Sequence, residues 1–147
     1  MPFYRGIFSL IRDVNMVSCT SVKKLGHFKQ KRAYALFCPM GQVSFDEMAE
    51  LMSRAVLRCR RKKITKLLID SRGVPGFRPP RPVLLYSLAE RIASDAKSRV
   101  KIAHVGSPEW VSSGKFGVVV AKNRGLDANN FDSEPEALKW LLTPEGK

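Results

Sequence analysis

The chain has 147 residues, 44% of them apolar and 27% charged, with a formal charge of +13 at pH 7. That length accommodates one ordinary core, the balance is that of a folded protein, and no apolar run approaches the ~20 residues that span a bilayer; several domains, wholesale disorder and a transmembrane segment are therefore not expected. The positive charge favours an anionic partner and is not confined to one tail: residues 1–32 hold seven basic residues against one acid, and residues 33–143 hold eighteen against eleven.

Residues 1–32 read as a basic leader. Within it Phe3, Tyr4, Ile7, Phe8, Ile11 and Val14 recur at helical spacing, which predicts a short amphipathic helix over 3–14. Basic charge beside aromatics suits peripheral contact with an anionic membrane surface, and packing on the chain's own domain is the blander alternative. The apolar stretch at 6–11 is too short for a secretory core and no small-residue cleavage site follows, so a cytoplasmic protein is expected. Met16 offers an alternative start before the folded domain, which is read as 33–143 with a tail at 144–147.

The domain alternates strands and helices. A strand is expected over 33–38 and a turn at Gly41. Ser44 with Glu47 forms a capping box ahead of Phe45, Met48, Leu51, Met52, Ala55 and Cys59, the apolar face of a helix. That helix closes in Arg58, Arg60, Arg61, Lys62 and Lys63, where cations meet the negative end of the dipole. A buried strand at 67–70 leads into a loop rich in Pro, Gly and Arg. The next helix turns Leu84, Leu85, Leu88, Ala89, Ile92, Ala93 and Ala96 inward, and 100–105 is the third strand of the alternating pattern. Residues 106–114 read as loop. A helix with Phe116, Val119, Val120 and Asn123 on one face then runs to Gly125, which can take the left-handed conformation that ends it, although the three valines at 118–120 also suit a strand. A last strand at 128–131 precedes a second capping box, Ser133 with Glu136, and a helix carrying Ala137, Leu138, Leu141 and Leu142. This order predicts an α/β fold with a mainly parallel or mixed sheet of about four to five strands and covering helices.

The closing arrangement, Asn123-Arg124-Gly125, a short strand, Phe131-Asp132-Ser133 and then Ala137-Leu138-Lys139-Trp140-Leu141, resembles the end of the small SpoIIAA-like proteins, which have STAS-type folds. The resemblance covers roughly residues 33–143 and selects helix over strand at 117–121. It implies a compact binding or regulatory module, commonly without catalytic activity, and names no ligand. One departure stands out. Where anti-sigma-antagonist STAS domains carry an Asp-Ser-Ser-Gly-like turn with the phosphorylated serine, this chain has Phe77-Arg78-Pro79-Pro80-Arg81-Pro82. No phosphoacceptor carries over, because Ser71 sits too early, directly after its strand.

In an open α/β sheet the loops leaving the carboxyl ends of strands form the usual ligand crevice. Here they bring Ser71, Arg72, Arg78 and Arg81 from one loop, and Ser107, Trp110 and Lys115 from the other, as candidate anion- or partner-binding residues. Guanidinium groups suit carboxylate or phosphate, and an aromatic beside them could stack on a ligand. Arg58, Arg60, Arg61, Lys62 and Lys63 form a secondary basic patch compatible with weak nucleic-acid backbone binding, although no recognised nucleic-acid motif accompanies it. His104 reads as a hydrogen-bonded core residue and Asp70 as a cap for the loop behind it. Cys19, Cys38 and Cys59 lack metal or redox spacing and read as reduced structural thiols. No dinucleotide or phosphate-loop glycine motif occurs, no metal site is indicated, and no catalytic residue or cofactor is expected. The expected function is a non-enzymatic STAS-type module recognising an anionic small molecule, a lipid headgroup or a protein partner. The alternatives are a basic nucleic-acid-associated protein and an unrecognised small enzyme.

Overall fold

Residues 26–144 are described in the computed structural model. The helix expected over 3–14, Cys19 and most of the tail lie outside the described residues. Five strands form one sheet in the order β1-β2-β3-β4-β5: β1 Gly26–Gln30, β2 Ala35–Pro39, β3 Lys66–Asp70, β4 Lys101–Val105 and β5 Ala128–Phe131. β1 pairs antiparallel with β2, and every other pairing is parallel. β1 falls inside the stretch read as leader, a correction to the strand reading. Its pattern of His, Lys and Gln is that of a polar edge strand, which carries little apolar signal.

The helices are α1 Phe45–Arg61, α2 Pro82–Ala96, α3 Pro108–Ser113, α4 Lys115–Asn123 and α5 Glu134–Leu142. Because β2 to β5 advance across the sheet in one direction, right-handed crossovers place their connecting helices on the same face. Met48, Met52, Val56, Ile92, Ala93 and Val120 from that layer close over Phe37, Leu67, Ile69 and Ile102. The other face is left to α5, whose Ala137 and Leu141 pack on Leu68, Ala103 and Val105. Strands β3 and β4 are consequently covered on both faces, which explains their continuous apolar runs.

Local punctuation agrees with the sequence at α1, where both halves of the Ser44–Glu47 capping box form, at 2.9 and 3.1 Å. Gly125 has φ 86°, the left-handed stop expected after α4. At α5 only the serine half of the second box forms, with the Glu136 amide donating to Ser133 Oγ at 3.5 Å. Three further readings are corrected. Residues 106–114 are not all loop, since α3 occupies six of them. Leu84 is exposed at the start of α2, while Leu85 is buried. On α4 it is Val120 and Ala121 that face the core, whereas Phe116 and Val119 stand 45% and 55% exposed. Among the described residues no helix is long and apolar enough to cross a membrane.

Candidate anion-binding crevice

The carboxyl ends of β3, β4 and β5 are tied together by one polar line. Parallel register sets Ile69 beside His104 and His104 beside Asn130, so the residues just beyond β3 reach the histidine. Asn130 Oδ1 lies 3.2 Å from His104 Nδ1 and Ser71 Oγ lies 2.8 Å from Nε2. With Nδ1–H donating to Asn130, Nε2 accepts the Ser71 hydroxyl, and the imidazole is neutral. Burial pushes the His104 pKa down to about 4, against the smaller opposing effects of the Asn130 hydrogen bond and the Asp70 carboxylate. Gly114 lets the α3–α4 junction approach this line, because a Cβ there would collide with the Asn130 side chain and the Trp110 carbonyl.

From Ser71 the chain makes two tight turns, with the Val74 amide donating to Ser71 O at 3.1 Å and the Phe77 amide to Val74 O at 3.4 Å. Val74 is buried as a plug, and Gly76 takes φ 67°. These turns lay Phe77 on Trp110 of α3, ring centroids 5.3 Å apart and nearly parallel, while the His104 ring meets the same indole edge-on at 5.1 Å. Between the two loops is a crevice of about 330 Å³ whose walls include Ser71, Arg72, Phe77, Arg78, Ser107 and Trp110, and also the carboxylate-bearing Glu109.

The polar groups of this wall are unevenly committed. Arg72 is spent internally: its Nε and Nη2 reach the two Asp70 oxygens at 2.9 and 2.8 Å, and Nη2 lies 3.4 Å from Glu134 Oε1. Burial alone would raise the Asp70 pKa, yet the Arg72 hydrogen bonds outweigh it and hold the carboxyl below its ordinary value. Arg78 is exposed and makes no ion pair among the described residues. Ser107 Oγ and Trp110 Nε1 are buried without a hydrogen-bond partner among the described residues, and Trp110 as a whole is only 4% exposed. A buried unpaired donor costs about 1–3 kcal/mol, so an acceptor arriving there is worth more than at an ordinary surface.

The structure thus brings Ser71, Arg72, Arg78, Ser107 and Trp110 to one crevice, while Arg81, the N-cap of α2, and Lys115, at the start of α4, do not line it. Phe77 and Asn130 were missed as contributors. An apolar side chain amid arginines and an asparagine in a short strand carry no local mark of a shared site. Of the basic patch, Arg60 and Lys63 border a separate crevice at the other end of the sheet, and Arg58 lies over the Phe28 ring at 4.5 Å. Burial pushes the Cys59 thiol up to about 12 and also raises that of the partly buried Cys38, the condition of unreactive thiols. No group of three metal-ligating side chains occurs among the described residues.

A single mixed sheet with crossover helices on one face, a terminal helix on the other and a polar crevice at its carboxyl end defines a small α/β domain of the architecture that the closing segment implied. The chain is similar to the crystal structure of an uncharacterised DUF3478-family protein with a SpoIIAA-like fold from Shewanella loihica PV-4, at 17% identity and a TM-score of 0.46, over 79% of this chain and 91% of that one. No protein-family model and no curated protein matches the chain.

Proposed function

We propose that the protein is a non-enzymatic, STAS-type binding module that accepts an anionic group of a small molecule, lipid headgroup or partner protein in the crevice between the loop after β3 and α3. The observation that carries this reading is the pair of buried, unpartnered atoms Trp110 Nε1 and Ser107 Oγ in residues that wall the same crevice as the exposed Arg78. A charged acceptor would take a neutral donor and a guanidinium together, the combination that makes charge-assisted hydrogen bonds strong. The Phe77–Trp110 stack offers an apolar wall for the rest of the ligand.

A catalytic reading draws on the contact of Ser71 with His104 and of His104 with Asn130, which has the order nucleophile, base, orienting group. It is disfavoured by the histidine itself. A general base works best with a pKa near the operating pH, and burial leaves His104 at about 4. The line serves instead to hold the loop after β3 against β4 and β5. The absence of a serine in the turn at 77–82 speaks against a phosphorylation switch of the anti-sigma-antagonist kind.

The test is a thermal-shift and titration series with inorganic phosphate and citrate on three variants. Trp110→Phe removes the indole donor while keeping a ring. It is expected to abolish the response to the anion, while the void left by the smaller ring in this buried position offsets the gain from losing an unpaired donor in the stability of the unliganded protein. Arg78→Ala is expected to weaken binding about tenfold, and Ser107→Ala less. An anion response unchanged in Trp110→Phe overturns the proposal. Labelling of Ser71 by a fluorophosphonate would favour the catalytic reading instead.

A further inference from the structure

The amino ends of the strands hold a second and larger crevice. There the turns preceding β3, β4 and β5 and the end of α5 surround about 600 Å³, with Arg60, Lys63, Lys66, Arg99 and Lys101 in the walls against one carboxylate, Asp127. The five cations come from two short segments, 60–66 and 99–101, that lie far apart in the chain, and only Arg60 and Lys63 belong to the basic run visible in the sequence. Crowding like charges into a concavity is unfavourable by itself.

Part of this charge has a structural purpose. Helices α1, α2, α4 and α5 all end here, and each presents a negative dipole end equivalent to about half an elementary charge. Lys101 answers α5: it is only 8% exposed, donates from Nζ to Trp140 O at 2.9 Å and Thr143 O at 3.1 Å, and lies 4.4 Å from the Trp140 ring centroid. Arg60 answers α2 by donating from Nη1 to Asp95 O at 3.1 Å. That leaves Lys63, Lys66 and Arg99, which enter no ion pair among the described residues, and the Arg60 Nε, which is buried with no partner. Ile64, Val100 and Pro144 supply apolar wall between them.

We propose that this crevice is a site for a compact polyphosphate, an anion with two or more phosphate groups linked in a row, whether free or as the tail of a nucleotide. The volume falls in the ~300–1,000 Å³ range of small-molecule sites and exceeds what one phosphate can fill, so linked phosphates are needed to reach cations on both sides. A concave wall with an apolar lining suits a short anion better than the continuous backbone of a nucleic acid, which calls for an extended basic track.

The experiment is calorimetric titration of the full chain at physiological salt with orthophosphate, tripolyphosphate, ATP and a single-stranded oligonucleotide. Tripolyphosphate is expected to bind saturably and much more tightly than orthophosphate. ATP bound more tightly than tripolyphosphate assigns the phosphates to a nucleotide, and equal or weaker binding assigns them to a free polyphosphate. The double variant Lys66→Ala, Arg99→Ala is expected to lose about tenfold or more in affinity, and Lys63→Ala provides an independent reading should the double variant fold poorly. Arg78→Ala and Trp110→Phe, in the other crevice, are expected to leave this binding intact, so the two proposals fail separately. Absence of saturable tripolyphosphate binding, or affinity unchanged in both the double variant and Lys63→Ala, overturns the assignment. So does an oligonucleotide that binds more tightly than tripolyphosphate through the same residues.

Discussion

His104 carries the most consequential chemistry of any single residue in the described structure, and its effect is on stability. In the unfolded chain an imidazole takes a proton near 6.5, whereas the buried ring takes one only near 4. Between those values the unfolded state binds the extra proton, so stability rises with pH across the window. Its contribution is complete above 6.5 and is lost as pH falls towards 4, with a magnitude of about 3 kcal/mol. Urea unfolding at pH 7 and pH 4.5 checks this: His104→Gln should be less stable at pH 7 and should lose less than the wild type on acidification. Equal losses would show that the acid sensitivity comes from the carboxylates. The same residue marks the limit of sequence reading at this scale. Its character as a hydrogen-bonded core histidine was legible, but its partners Ser71 and Asn130 lie 33 and 26 positions away and meet it only through the parallel register. Arg72 was legible as a charge and not as a committed one, because Asp70 and Glu134 reach it through a turn and a tertiary contact.

Elements were readable where the chain itself carries the stop and start signals. The α1 cap is such a case: Ser44→Ala should cost about 1 kcal/mol in denaturant unfolding, through loss of an acceptor for the Glu47 amide. Adding Glu47→Ala to that variant should cost less than it does in the wild type, since the two bonds act reciprocally. Strictly additive losses would mean that the box does not act as a unit. Helix α4 shows the opposite. Nine residues give too few turns for periodicity to choose among several apolar arcs, and the arc through Phe116 and Val119 is the exposed one. What selects the buried arc is the fit against α2, where Gly117 comes close to Leu85 and small residues allow the two helices to pack. Helix α3 escaped notice because it is one short turn longer than a loop and its anchor, Trp110, is buried by Phe77 and His104 from elsewhere.

The whole molecule stands on two apolar clusters separated by the sheet, and the smaller depends on one short helix. Leu141 is fully buried against the face that no crossover helix covers, so Leu141→Ala should destabilise the fold by about 2–5 kcal/mol, visible as a lower urea midpoint. A loss below about 1 kcal/mol would mean that α5 contributes little to closing that face. The strand and helix alternation, the α/β class, the α1 cap and the Gly125 stop were determined by the residues in order, because apolar period, caps and left-handed glycine act over a few neighbouring positions. The edge strand β1, the inward arc of α4 and the choice of which arginines remain unpaired were decided only by the tertiary structure. So was the meeting of Lys66, Arg99 and Lys101 with Arg60 and Lys63 at the amino end of the sheet. Those properties depend on burial and charge pairing between segments far apart in the chain, and parallel strands joined by long crossovers place such segments side by side only when the sheet has formed.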